Sequence, residues 1–177
     1  WAFVSVNGKE AIYNGSLFDK FSMKIWVNPS RITLYDVSLE AQNRIAYAVL
    51  DWMYGSAGIT SYEFQRIALE STLNSKELIS LGGSDAKDVL DIIRFSQAPR
   101  LGLNALLYNP ENNAAKKRDI YNADIFSAGR TTIEAFTSVE NMRCSAKSDA
   151  FVTELSDTSF DFCSGSASGK ILIEKLP

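Results

Sequence analysis

The spacing of apolar residues changes twice along this chain, and that change constrains the fold more than any motif in it. Both ends read as short extended runs bounded by turn residues, while the middle third places apolar side chains at helical intervals. At the N-terminus "AFVSV" and "KEAIY" flank Asn7-Gly8, a pair that predicts a tight hairpin turn. "SMKIWV" and "RITLYD" then flank Asn28-Pro29-Ser30, where proline interrupts pairing and the chain reverses.

From Ser38 the pattern reads as helix. In "SLEAQNRIAYAVLDWMYG", Ile45, Val49, Trp52 and Met53 recur at helical spacing, with Ser38 as cap and Gly55 as stop. "TSYEFQRIALESTL" follows, with Thr60 and Glu63 at capping-box spacing and Phe64, Ile67, Ala68 and Leu73 as its apolar stripe. A third helix is expected over "DAKDVLDIIRF", capped by Ser84, with Val89, Leu90, Ile92 and Ile93 turned inward. Residues 97–129, broken by Pro99 and Pro110, carry no assignment. Beyond Gly129, "TTIEAFTSV", "AFVTEL", "SFDFC" and "KILIEKL" have strand length and β-branched content. Strands, then helices, then strands predict a single α+β domain over residues 1–177, its mostly antiparallel sheet packed against about three central helices.

The chain of 177 residues is 46% apolar, enough for one core, and its net charge of −3 offers no field for nucleic acid or an anionic membrane. No apolar run reaches the roughly 20 residues of a spanning helix. A first residue of tryptophan in place of methionine is what removal of a leader or an anchor would leave. There is no histidine, which excludes Ser-His and Cys-His dyads and imidazole metal ligands. The two cysteines, Cys144 and Cys163, both sit in turn-rich polar sequence and are expected to form a disulfide, which predicts a periplasmic or secreted location.

Several short patterns carry candidate chemistry. "GSASGK", Gly165 to Lys170, is one residue short of a phosphate-binding loop, lacks the following Ser or Thr, and leaves no chain for the helix such a loop needs. It reads instead as a loop. Ser84 and Lys87 match the S-x-x-K arrangement of a serine nucleophile one turn from a lysine base, although a capping serine beside a solvated lysine fits the same residues. Asp85, Asp88 and Asp91 form an acidic series whose simpler role is to complement a helix dipole. Glu134 and Glu154 are candidates for a carboxylate pair of the glycosidase kind. Lys116, Lys117 and Arg118 read as solvated surface, and Asn14-Gly15-Ser16 is a glycosylation sequon. No metal site and no cofactor are expected.

The second hairpin offers a surface. With a four-residue loop Val27 pairs with Ile32 and Ile25 with Leu34, so Lys24, Trp26, Thr33 and Tyr35 share the opposite face as an amphipathic contact patch. "RLGLNALLY" could line an apolar ligand pocket. Together these features predict a non-enzymatic extracytoplasmic domain that binds a protein partner or a small apolar ligand, such as an inhibitor, immunity protein or sensor ectodomain. The alternative is a hydrolase that works through carboxylates or the Ser84-Lys87 pair.

Overall fold

A computed structural model describes residues 1–54, 62–108, 120–134, 137–148, 152–162 and 165–174. Within them lie twelve strands and one helical element. The strands are β1 (Ala2–Tyr13), β2 (Ser16–Asn28), β3 (Arg31–Ala41), β4 (Arg44–Tyr54), β5 (Tyr62–Ser71), β6 (Ile93–Phe95), β7 (Arg100–Tyr108), β8 (Ile120–Ser127), β9 (Thr131–Ile133), β10 (Thr137–Ser148), β11 (Val152–Phe162) and β12 (Gly165–Glu174); helix α1 is Ser75–Ile92. Ten strands form an antiparallel meander in the order β1-β2-β3-β4-β5-β7-β8-β10-β11-β12, while β6 and β9 extend one end of β10 as a small ribbon.

The expected α+β fold with about three central helices is therefore incorrect: the domain is almost entirely antiparallel sheet. Residues 38–54, expected as a helix, form the last four residues of β3, a turn at Gln42-Asn43 and all of β4. The reason lies in β4, where Ala46, Ala48, Leu50 and Trp52 alternate with Ile45, Val49 and Met53, so apolar residues on both faces of a strand imitate a helical stripe. The turn uses Gln42 at φ 56°. Likewise the expected second helix is β5, whose Ile67, Leu69 and Ser71 face one way and Arg66, Ala68 and Glu70 the other. Gly55 and Thr60 lie outside the described residues. The third expected helix exists but begins ten residues early, capped by Asn74 and not by Ser84. Gly83, at φ 63°, kinks it.

The first hairpin turns at Asn14-Gly15, where φ is 44° and 78°, and not at Asn7-Gly8. Gly8 instead pairs with Phe21 on β2, and a Cβ there would sit 2.1 Å from the Phe21 ring. Glycine is required so that the phenyl ring can lie across the neighbouring strand. The second hairpin has the expected register, with Val27 opposite Ile32 and Ile25 opposite Leu34. Bulges at Asp36, Asn141 and Asp157 shift the register of β3, β10 and β11, each with positive φ on a short side chain that tolerates it.

Pairing sorts the side chains sharply. One row runs Phe21, Leu39, Ala46, Ser71, Leu101, Ile125, Cys144 across β2 to β10. The next runs Val37, Ala48, Leu69, Leu103, Ala123, Ala146, Leu155. A third runs Ile25, Leu34, Leu50, Ile67, Ala105, Tyr121. None of these positions is an acid, a lysine or an arginine. The opposite face carries Lys20, Lys24, Arg31, Glu40, Asp51, Arg66, Glu70, Arg100, Asp124, Arg143 and Lys147. An antiparallel sheet segregates its side chains in this way when one face is kept from water.

Only one rim of the apolar face is closed. There Phe18, Ala41, Ala46 and Leu73 form the buried cluster, with Leu39, Leu69 and Leu78 of α1 packed against it. Helix α1 lies against β2 and β6, so among the described residues most of the apolar face has no second layer. The total accessible surface is 11510 Å². A compact monomer of this mass exposes about 8,600 Å². The side chains of the apolar rows are nonetheless half-buried or better, whereas Tyr47, Val49 and Phe126 on the other face are 54%, 43% and 40% exposed.

Candidate functional site

Two partly buried ion pairs hold the frame. Arg31 on β3 donates from Nε and Nη2 to Asp51 on β4 at 2.7 and 2.5 Å, and the Thr33 hydroxyl adds a third bond at 2.9 Å. Burial alone would push the Asp51 carboxyl up, but the hydrogen bonds from Arg31 and Thr33 and the positive charge of Arg31 and Arg66 outweigh it and hold its pKa below the ordinary value. A lowered folded-state pKa contributes stability that is present above the unfolded value of about 3.9 and is lost as pH falls through the folded value. Asp51→Asn is accordingly expected to lower stability by about 2 kcal/mol at pH 7 and to flatten the acid limb of the stability curve. Urea unfolding from pH 7 down to pH 2 measures both; an unchanged acid limb would show that other carboxylates govern it.

The second pair joins sheet to helix. Arg44, at the start of β4, grips Glu77 of α1 through two bonds of 3.0 and 2.6 Å. Glu77 is also the distal half of the α1 capping box with Asn74.

The polar face carries two features. Near β1 to β3, Phe3 and Tyr35 stack at 6.0 Å in a tilted geometry, and Lys24 sits 5.8 Å over the Tyr35 ring while pairing with Asp36 at 2.6 Å. Trp26 lies beside them, opposite Phe3 on β1 and Thr33 on β3. Lys24, Trp26, Thr33 and Tyr35 are therefore brought together on one face. From β4 to β12 the twist of the sheet hollows the same face into a trough of about 1210 Å³. Its floor holds Arg100, Phe126 and Arg143, which are direct cross-strand neighbours on β7, β8 and β10. The Arg143 guanidinium lies 5.7 Å from the centre of the Phe126 ring. One step along are Glu70, Gly102, Asp124, Ser145 and Ser156 in register, with Ser145 donating to Asp124 at 2.5 Å. Lys170 and Glu154 pair at 2.8 Å on the far wall.

Other candidate residues are dispersed. Ser84 follows the Gly83 kink in α1, and Lys87 is exposed and paired with Asp91 at 2.5 Å. That hydrogen bond raises the Lys87 pKa, whereas a lysine acting as base needs it lowered. Asp91 is committed to this pair, and among the described residues no three metal-ligating side chains cluster. Glu154 is paired with Lys170 in the trough, while Glu134 ends β9 in the small ribbon. Asn14 of the sequon donates its side-chain amide to the Ser80 carbonyl, tying the first turn to α1. The Gly165–Lys170 stretch is strand β12 and not a loop, and residues 116–118 lie outside the described residues.

The expected Cys144–Cys163 disulfide is not formed. Cys144 is unbonded in mid-strand on the apolar face, its sulfur accepting a hydrogen bond from the Thr158 hydroxyl at 3.6 Å. Strand β11 continues from Thr158 to Phe162. Those four residues carry the chain about 13 Å further along the sheet. Cys163 itself lies outside the described residues. The reading of the two cysteines from their polar neighbours erred because Cys144 faces the apolar side of a strand whose alternate residues are polar.

Comparison with family models, with curated proteins and with solved structures gives no match. No helix of the described residues is long and apolar enough to cross a membrane.

Proposed function

We propose that this is a non-catalytic binding domain that receives the acyl chain of a lipid, or a similarly apolar ligand, on its uncharged face. The observation that carries the reading is the uninterrupted uncharged face spanning β2 to β10, closed by α1 at one rim alone. A sheet face of this composition is stable only when something excludes water from it. Alanines at 46, 48, 105, 123 and 146 leave low ground on this face beside neighbouring leucines and isoleucines, where an acyl chain could lie. Each methylene buried contributes about 0.8 kcal/mol, so ten would supply roughly 8 kcal/mol, the scale of micromolar binding. Compartment forms no part of this proposal, since the disulfide that suggested one is absent.

Titration with a fluorescent long-chain fatty acid tests it. Saturable binding is expected, weakened at least tenfold by Ala48→Asp or Ala123→Asp and unaffected by Lys24→Gln on the opposite face. A native mass twice that of the chain, with no fatty-acid binding, would instead assign the apolar face to a second copy.

A protein partner is the second reading, and the cluster of exposed Phe3 and Lys24 with half-buried Trp26 and Tyr35 favours it. Aromatic side chains beside a cation are enriched where proteins meet. Trp26→Ala would then abolish capture of a partner while leaving fatty-acid binding intact.

A further inference from the structure

The trough on the charged face lies on the opposite side of the sheet from the uncharged face proposed above to receive an apolar ligand. Its lining is polarised along the strands. At one end Arg100 and Arg143 flank Phe126, and among the described residues neither guanidinium is engaged by a carboxylate. Guanidinium groups are ordinarily paired when a carboxylate is in reach, and Asp124 is only two residues from Phe126 on β8. Asp124 is instead held by the Ser145 hydroxyl. Arg143 rests its guanidinium near the Phe126 ring, a contact that occupies none of its N–H donors with a carboxylate. The Cα atoms of residues 100 and 143 are separated by two strand spacings, about 9.6 Å, a gap that two arginine side chains close readily on a shared anion.

The remainder of the trough has the opposite character. Glu70 and Asp124 stand on either side of Gly102, which has no side chain to fill the space between them. Ser156, Ser159 and Ser168 supply hydroxyls, and Asp157 adds a further carboxylate. Acceptors and hydroxyls of this kind suit the many O–H groups of a sugar and repel a simple anion. A site with two free guanidiniums at one end and carboxylates and hydroxyls along the other matches a ligand that has an acidic group at one end and hydroxyls elsewhere. The volume of about 1210 Å³ exceeds what a single ring fills.

We propose that this trough binds an acidic saccharide, its carboxylate or phosphate bridged by Arg100 and Arg143 and its hydroxyls accepted by Glu70 and Asp124. Calorimetric titration of the whole chain at low ionic strength with trigalacturonate tests the idea, with glucose 6-phosphate, neutral maltotriose and acetate as comparisons. Trigalacturonate is expected to bind and maltotriose and acetate are not. Binding of glucose 6-phosphate more tightly than trigalacturonate would identify phosphate as the acidic group and uphold the site. Arg100→Gln and Arg143→Gln should each weaken binding about tenfold or more, the usual cost of removing one partner of a charge-assisted bond. Asp124→Asn should weaken the saccharide while allowing acetate to bind. Lys147→Gln removes a positive charge from the same face outside the trough and should have no comparable effect. All four positions are exposed, so the variants are expected to fold, which circular dichroism would check. Equal binding of maltotriose, an equal loss in Lys147→Gln, or no binding of either acidic sugar would overturn the proposal. Fatty-acid binding on the other face is unaffected by any of these outcomes.

Discussion

Phe18→Ala is expected to cost about 4 kcal/mol, the largest loss of any single truncation in this domain. Phe18 is 2% exposed and packs with Ala41, Ala46 and Leu73 where α1 closes the rim of the sheet. The magnitude matters because the domain has few places to bury anything. Among the described residues only eight apolar side chains are fully buried, and three of those are alanines. A typical domain is stable by about 5–15 kcal/mol in total, so this one change removes a large share. Chemical denaturation monitored by circular dichroism provides the measurement. A cost below about 1 kcal/mol would mean that α1 is not anchored at this rim. A conservative Phe18→Leu change keeps most of the volume and should cost less than half as much.

Glu77→Ala is the second large effect, at about 3–4 kcal/mol. Two losses coincide in it. The carboxylate accepts both bonds from Arg44, and it also accepts the Asn74 backbone N–H at 2.9 Å in the capping box. With its side chain only 8% exposed, the ion pair is poorly screened by salt, so the loss should persist at high ionic strength. Glu77→Gln separates the two contributions: it retains an acceptor for the cap and forfeits the charge, and an intermediate cost is expected. In a double-mutant cycle with Arg44→Ala the two changes should fall short of additivity by at least 1 kcal/mol. Additive costs would show that sheet and helix are not coupled through this pair.

Legibility from sequence varied with how many sides of an element are apolar. The hairpin around Pro29 was readable, register included, because proline marks the reversal and the alternation in "SMKIWV" and "RITLYD" admits one sensible pairing. The β4 segment reads as helix because Ile45, Val49 and Met53 share one side with Tyr47 and Asp51 while Ala46, Ala48, Leu50 and Trp52 take the other, so neither side is polar enough to reveal a period of two. In β5 the alternation of Arg66 and Glu70 with Ile67 and Leu69 was present but was overruled by a chance capping-box match at Thr60 and Glu63. The cluster of Lys24, Trp26, Thr33 and Tyr35 is local to one hairpin and could be placed in advance. Arg100, Phe126 and Arg143 could not, since they come from three strands and no local pattern links them.

The amino-acid sequence by itself determined which chemistry is out of reach, through the absence of histidine, and where its strongest local turn at Pro29 must fall, because both depend on residue identity and short-range geometry alone. The tertiary structure decided that the apolar residues of seven neighbouring strands share one uncharged face and that two arginines distant in sequence flank one phenyl ring. Those outcomes depend on strand register, and register is a property of pairing across the sheet that no single segment carries.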